Sequence, residues 1–350
     1  MRNSLGGTIL TEPLLDREMS KSHTVLGVQE GVMRVLLAVI VCSAWMFVSS
    51  LLILLNKYIM VDLEFKYPMV VSSMGMMMSG ILSYMSCHVF RIVPANSPIS
   101  FPFWLNRMLP VGFFMAMTLW TGNEVYLYLT VAFIQMLKAF TPVITMIALF
   151  ISRLEDPTAA MIASVLLIAL GTATAAYGEI KLSLLGLIFM FGSETGEAIR
   201  LVMTQYLLVG LKLNPIEGLM YLAPACCFWL FLGACYREIP EIIEQGSLKV
   251  MWEHPFLFLA AAVMGFGVNT LAYTAIKLAS SLTLKVLGTV KNTLLVVIGM
   301  VFLSEVVTRV QALGYMLSLA GFAWYNRIKM TQIASSTTEA VSVKGGANAA

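Results

Sequence analysis

MLPVGFFMAMTLWTGNEVYLYLTVAFIQMLKAFTPVITMIALFIS, from Met108 to Ser152, is a block of 45 residues whose only charges are Glu124 and Lys138. One helix of that length would reach about 68 Å, more than twice the ~30 Å hydrocarbon core of a bilayer. The block therefore reads as two crossings with a tight turn near Leu129. Outward from it, Val35 to Asn56, Tyr67 to Phe90, Pro157 to Gly178, Gly218 to Tyr236 and Pro255 to Ile276 each run without Lys, Arg, Asp or Glu. Three further apolar stretches carry a few charges: Leu182 to Leu211 with Glu194, Glu197 and Arg200, Leu278 to Ser304 with Lys285 and Lys291, and Val306 to Asn326 with Arg309. The expectation is an all-α membrane protein of ten transmembrane helices.

Composition agrees. Of 350 residues, 59% are hydrophobic and only 12% charged, about half the roughly 25% usual in soluble proteins. The 22 Lys+Arg against 19 Asp+Glu make no basic face for nucleic acid, so the bilayer is the expected environment and nucleic acid is not an expected partner. The five cysteines, Cys42, Cys87, Cys226, Cys227 and Cys235, lie in apolar stretches without C-x-x-C spacing, which indicates neither a metal site nor a disulfide framework. No P-loop, H-E-x-x-H or G-x-S-x-G motif occurs, so an ATP-driven pump or a hydrolase has no machinery, and no cofactor is expected. The first 30 residues mix Glu12, Asp16, Glu18 and Glu30 with Arg2, Arg17 and Lys21 and read as neither a signal nor a transit peptide.

Ten crossings place both termini on one side. With them fall Arg2, Arg17, Lys21, Arg34, Arg91, Arg107, Arg153, Lys212, Lys277, Arg327, Lys329 and Lys344; opposite stand only Lys57, Lys66, Lys181, Arg237, Lys249 and Arg309. The positive-inside rule makes the termini cytosolic. The expected organisation is an N-terminal tail over 1–33, five helices over 34–178, five of opposite orientation over 179–329, and a Ser/Thr/Ala/Gly-rich disordered tail over 330–350. Inverted five-helix halves are an arrangement in which transporters place a substrate at mid-membrane. A shift of 147 residues lays Tyr126 on Tyr273, Ala132 on Ala279, Leu137 on Leu284, Lys138 on Lys285, Val143 on Val290 and Ile151 on Ile298. Apolar composition alone accounts for most such matches, the two intramembrane lysines least readily.

A cation at the centre of a span costs at least ~2.5 to 3.5 kcal/mol, so it faces a cavity, pairs with an anion or snorkels. Lys138, Lys285 and Lys291 are the candidates, with Glu124 as a possible counter-ion. Lysine presents a compact charge with three donors, suited to holding a phosphate that must later leave. Glu194, Glu197 and Arg200, three residues apart, read equally as a neutralised structural set or as a gating or binding group. Asn123 and Asn269 could meet a sugar hydroxyl or bond a neighbouring helix; Tyr126 and Tyr273 could stack on a ligand or anchor at the interface. Gly192 with Gly196, and Gly75 with Ser79, are packing signals.

Three segments resemble the plant-type triose-phosphate translocator and nucleotide-sugar transporter family of the drug/metabolite transporter superfamily. They are LNKYIM from Leu55 with KYPM from Lys66, VAFIQMLKAFTPV from Val131 to Val143, and LTLKVLGTVKN from Leu282 to Asn292. The resemblance, over about Arg34 to Lys329, implies a carrier that exchanges a phosphorylated sugar or nucleotide-sugar for inorganic phosphate or a nucleoside monophosphate. It also implies that Lys138 and Lys291 bind phosphate and that Arg200 and Asn269 match family positions. Asn292 stands where phosphate exchangers carry Arg, and Val268 where they carry Tyr, a departure that Lys285 could offset. Golgi or another endomembrane is the expected location, and a homodimer is open. An exporter of neutral or cationic metabolites in the same superfamily, which would not need the lysines, and a non-transporting receptor or scaffold are the rival readings.

Overall fold

The computed structural model describes residues 12–93, 99–151, 153, 156–180, 182–211, 215–278 and 281–347, with side chains described between Met33 and Gln332 except at 34, 201, 202, 204–211, 215, 273, 276, 277, 281–283 and 285. Among them every regular element is helical. We label the long helices α1 (Glu12–Lys57, continued by a π-turn Tyr58–Asp62), α2 (Pro68–Tyr84, continued by Met85–Val89), α3 (Leu109–Glu124) and α4 (Val131–Ile151). These are followed by α5 (Ala159–Tyr177), α6 (Leu184–Leu211), α7 (Pro215–Gln245), α8 (Pro255–Leu278), α9 (Ser281–Phe302) and α10 (Arg309–Ala347). The turn expected near Leu129 is there, as a 3₁₀ turn Val125–Leu127 followed by Thr130, whose hydroxyl accepts from the Phe133 amide at 3.3 Å and caps α4.

Among the described residues six helical segments are long and apolar enough to cross a membrane: Val35–Asp62, Pro68–Val89, Val131–Ile151, Ala159–Tyr177, Ile216–Gln245 and Pro255–Ala272. Phe47, Ile81, Leu166, Leu170, Phe231 and Leu313 are exposed apolar side chains on these and neighbouring helices, as a lipid-facing surface requires. The chain is therefore an integral membrane protein.

In hydrocarbon an unsatisfied backbone N–H costs several kcal/mol, so helix starts need partners. Two come from far away in sequence. Glu305 accepts from the amides of Val131 (2.9 Å) and Ala132 (2.8 Å) at the start of α4 and pairs with Lys57 at 3.4 Å. Glu238 on α7 does the same for Met69 (2.9 Å) and Val70 (2.8 Å) at the start of α2. Both carboxylates also sit favourably at the positive end of a helix dipole.

Packing joins α1 to α8, α2 to α7 and α8, α3 to α6 and α7, α4 to α9, and α5 to α10. The α5–α10 contact is the closest. A Cβ on Gly314 would lie 2.3 Å from the Ala175 nitrogen, and one on Gly171 2.5 Å from the Ser318 nitrogen, so the backbones touch where side chains would be. The Thr172 and Ser318 hydroxyls meet at 3.1 Å inside that seam.

Gly314→Val should therefore separate α5 from α10 and abolish monodisperse protein in detergent size exclusion. Gly267→Ala, whose Cβ would meet only Val48 Cγ1 at 3.8 Å, should elute like the unaltered chain.

Candidate functional site

Helix α4 is broken at its middle, and the break has a local cause. Pro142 carries no N–H for the carbonyl four residues back, which is that of Lys138. Residues Lys138–Phe140 tighten into a 3₁₀ turn, in which the Lys138 carbonyl accepts from the Thr141 backbone N–H and also from the Thr141 hydroxyl at 2.6 Å. The same hydroxyl lies 2.5 Å from Glu194 Oε2 on α6. It has one proton for two acceptors.

Lys291, from the opposite half of the chain, is 8% exposed; it donates to Ser49 Oγ at 2.9 Å and lies over the Trp45 ring, 5.3 Å from its centroid. Both of those partners are on α1. Lys138 is close enough to Lys291 to repel it, and Glu194 and Glu197 act on Lys138 from α6. Among the described residues neither lysine has a carboxylate within the 4.0 Å of an ion pair. Glu124 is spent on Arg237 at 3.4 Å and on the Trp120 indole at 3.1 Å. Lys138, Thr141, Glu197 and Arg200 are only partly buried.

The other candidates fall as follows. Arg200 forks onto Glu197 one turn away, leaving Glu194 directed to Thr141. Asn123 donates to Ser72 at 2.8 Å and accepts from Asn56 at 3.3 Å, tying α1, α2 and α3 together toward the Glu305 end. Asn269 donates to the Gly265 carbonyl of its own helix at 3.0 Å. Tyr126 is buried in the apolar cluster with Met60, Leu129 and Phe133. The side chains of Lys285 and Tyr273 lie outside the described ones. Sequence reasoning missed Ser49 and Trp45, which nothing distinguishes within an apolar span, and the double cap by Glu305. The Thr-Pro pair after Lys138 was the available signal for the break.

A hollow of about 550 Å³ between α2 and α7 is walled by Met76, Gly80, Tyr84, Pro224 and Phe231 and carries no charge. Neither Lys138 nor Lys291 lines it.

Two cations, Lys138 on α4 and Lys291 on α9, with hydroxyls and an indole beside them, are groups of the kind that can hold an anion. Residues 36–326 match the model of the Triose-phosphate Transporter family. Two probable sugar phosphate/phosphate translocators of Arabidopsis thaliana are each 32% identical to the chain, one over 299 residues covering 83% of this chain and 87% of its own, the other over 303 residues covering 85% of each. The UDP-uronic acid transporter 1 of the same plant is 26% identical over 299 residues, 81% of this chain and 96% of its own.

Asn123→Ala removes the bridge among α1, α2 and α3. It should lower the melting temperature in detergent, reflecting about 1 kcal/mol, the usual worth of an interhelical hydrogen bond in a membrane.

Proposed function

The chain belongs to the Triose-phosphate Transporter family, and from that we propose that it is an antiporter exchanging a sugar phosphate or related phosphorylated sugar for inorganic phosphate by alternating access. The observation that carries the reading is the pair Lys138 and Lys291, buried or half-buried cations without an ion-pairing carboxylate among the described residues. A charge in that position is costly unless its usual partner is the ligand.

We read the fold as ten crossings in two inverted halves, α1–α5 and α6–α10. The packing supports this: adding five to each helix number turns α1–α8 into α6–α3 and α2–α8 into α7–α3, and carries α2–α7, α4–α9 and α5–α10 onto themselves. Lys138 on α4 and Lys291 on α9 then belong to equivalent helices, close on one anion from two sides, and the halves rock about it. With the anion gone, two like charges in a low-dielectric site oppose closure, so return requires a second anion. That is obligatory exchange without an ion gradient. Glu305, bound to the start of α4 and to Lys57, holds one end shut. The excess of Lys and Arg beside the termini puts these in the cytosol and the Glu305 end on the far side. Golgi or another endomembrane is the location proposed.

A nucleotide-sugar for nucleoside monophosphate exchange is the second reading. It is favoured by the likeness to the UDP-uronic acid transporter and by Asn292, which cannot grip phosphate bidentately as Arg would.

The test is counter-exchange in liposomes preloaded with phosphate, with uridine or guanosine monophosphate, or with nothing. Uptake of sugar phosphate driven by internal phosphate is the expected result; uptake driven only by a nucleotide selects the second reading, and no exchange removes both. Lys138→Ala and Lys291→Ala should each insert normally and lose exchange about a hundredfold or more, in line with the ~2 to 5 kcal/mol cost of deleting one partner of a buried charged contact. Near-normal exchange in either variant overturns the role given to that lysine.

A further inference from the structure

Glu194 is the group at this site that an anion carrier does not obviously need. It is 8% exposed, it lies beside the Lys138 that would hold the anion, and yet it forms no ion pair with that lysine. The neighbouring acid, Glu197, is committed to Arg200. Among the described residues Glu194 accepts from the Thr141 hydroxyl alone, whose single proton the Lys138 carbonyl also draws at 2.6 Å. An ionised carboxylate accepts at roughly four lone-pair positions and donates at none. This one therefore has more accepting capacity than its surroundings fill, next to the place where the ligand's oxygens arrive.

We infer that Glu194 selects phosphate-bearing anions that bring an O–H donor of their own, and rejects fully deprotonated oxyanions such as sulfate. The inference deepens the proposed function and rests on it. Monohydrogen phosphate, dihydrogen phosphate and a sugar phosphate each carry a hydroxyl that can donate to Glu194 while other oxygens face Lys138 and Lys291. Sulfate has the same size and charge as monohydrogen phosphate but only acceptors. Against it the carboxylate is a like charge with its lone pairs facing lone pairs, so the same side chain attracts one ion and repels the other. A site built to bond a ligand O–H discriminates strongly against an isostere lacking it, because a buried polar group is then left without a partner. Lysines alone would not discriminate, since an ammonium donates equally to either ion.

The full-length chain in liposomes loaded with phosphate tests this through one ratio: the sulfate concentration that halves labelled-phosphate uptake, divided by the phosphate concentration that half-saturates it. The unaltered chain should give a ratio of roughly 30 or more, within the discrimination such hydrogen bonds supply. Glu194→Gln, whose amide can donate to sulfate, should lower it about tenfold or more. Glu194→Asp keeps the acceptor but withdraws it by a methylene and should fall between. A ratio near one in the unaltered chain overturns the inference, as does an unchanged ratio in Glu194→Gln. If Glu194→Gln yields no folded carrier, the unaltered chain and Glu194→Asp decide, and an Asp ratio equal to the unaltered one overturns it. Exchange of phosphate or glucose 6-phosphate with undiminished sulfate competition removes this inference alone; absence of any such exchange removes the proposed function and this with it.

Discussion

Hydrocarbon offers no hydrogen bonds, and this molecule is organised by that lack. Wherever the backbone is interrupted inside it, some other group must reach in. At the start of α4 the group is Glu305, which arrives from beyond α9 and occupies the amides of Val131 and Ala132. At the start of α2 it is Glu238. Each repair ties together elements that the chain order keeps apart, so satisfying the backbone also fixes the tertiary arrangement.

The break in α4 is where structure becomes chemistry. A straight helix would present Lys138 as one residue on a regular face. The 3₁₀ turn that Pro142 imposes instead places the lysine, its carbonyl and the Thr141 hydroxyl together, with Glu194 across from them. On the opposing half, Lys291 is steadied by Ser49 and the Trp45 ring, partners that orient an ammonium without cancelling its charge. Lys291 is thus held by neutral groups, and among the described residues neither lysine forms the close ion pair that Arg200 makes with Glu197.

The helices were legible because charge and proline punctuate an otherwise apolar chain, and the turn after Leu127 followed from length alone. Lys138 and Lys291 were legible for the same reason, since a cation is conspicuous in such surroundings. Asn123 read either as a group for a sugar hydroxyl or as a bond to a neighbouring helix; its amide meets Asn56 and Ser72, a junction of three helices that no local pattern displays. Ser49 and Trp45 were invisible: their importance comes from Lys291, 242 positions from Ser49, and nothing in their own span marks them. The role of Glu305 left no mark in the sequence, because a cap supplied across 174 positions has no local pattern.

The seam between α5 and α10 bears on how the protein is made. Gly171 on one helix and Gly314 on the other allow a backbone-to-backbone contact, yet α10 is translated long after α5. At about 5 to 20 residues per second the interval is on the order of ten seconds. For that time α5 stands in the bilayer with its small-residue face against lipid or an insertion factor. The first half of the molecule is thus inserted well before it is assembled, and its final packing waits for the last helix to be synthesised.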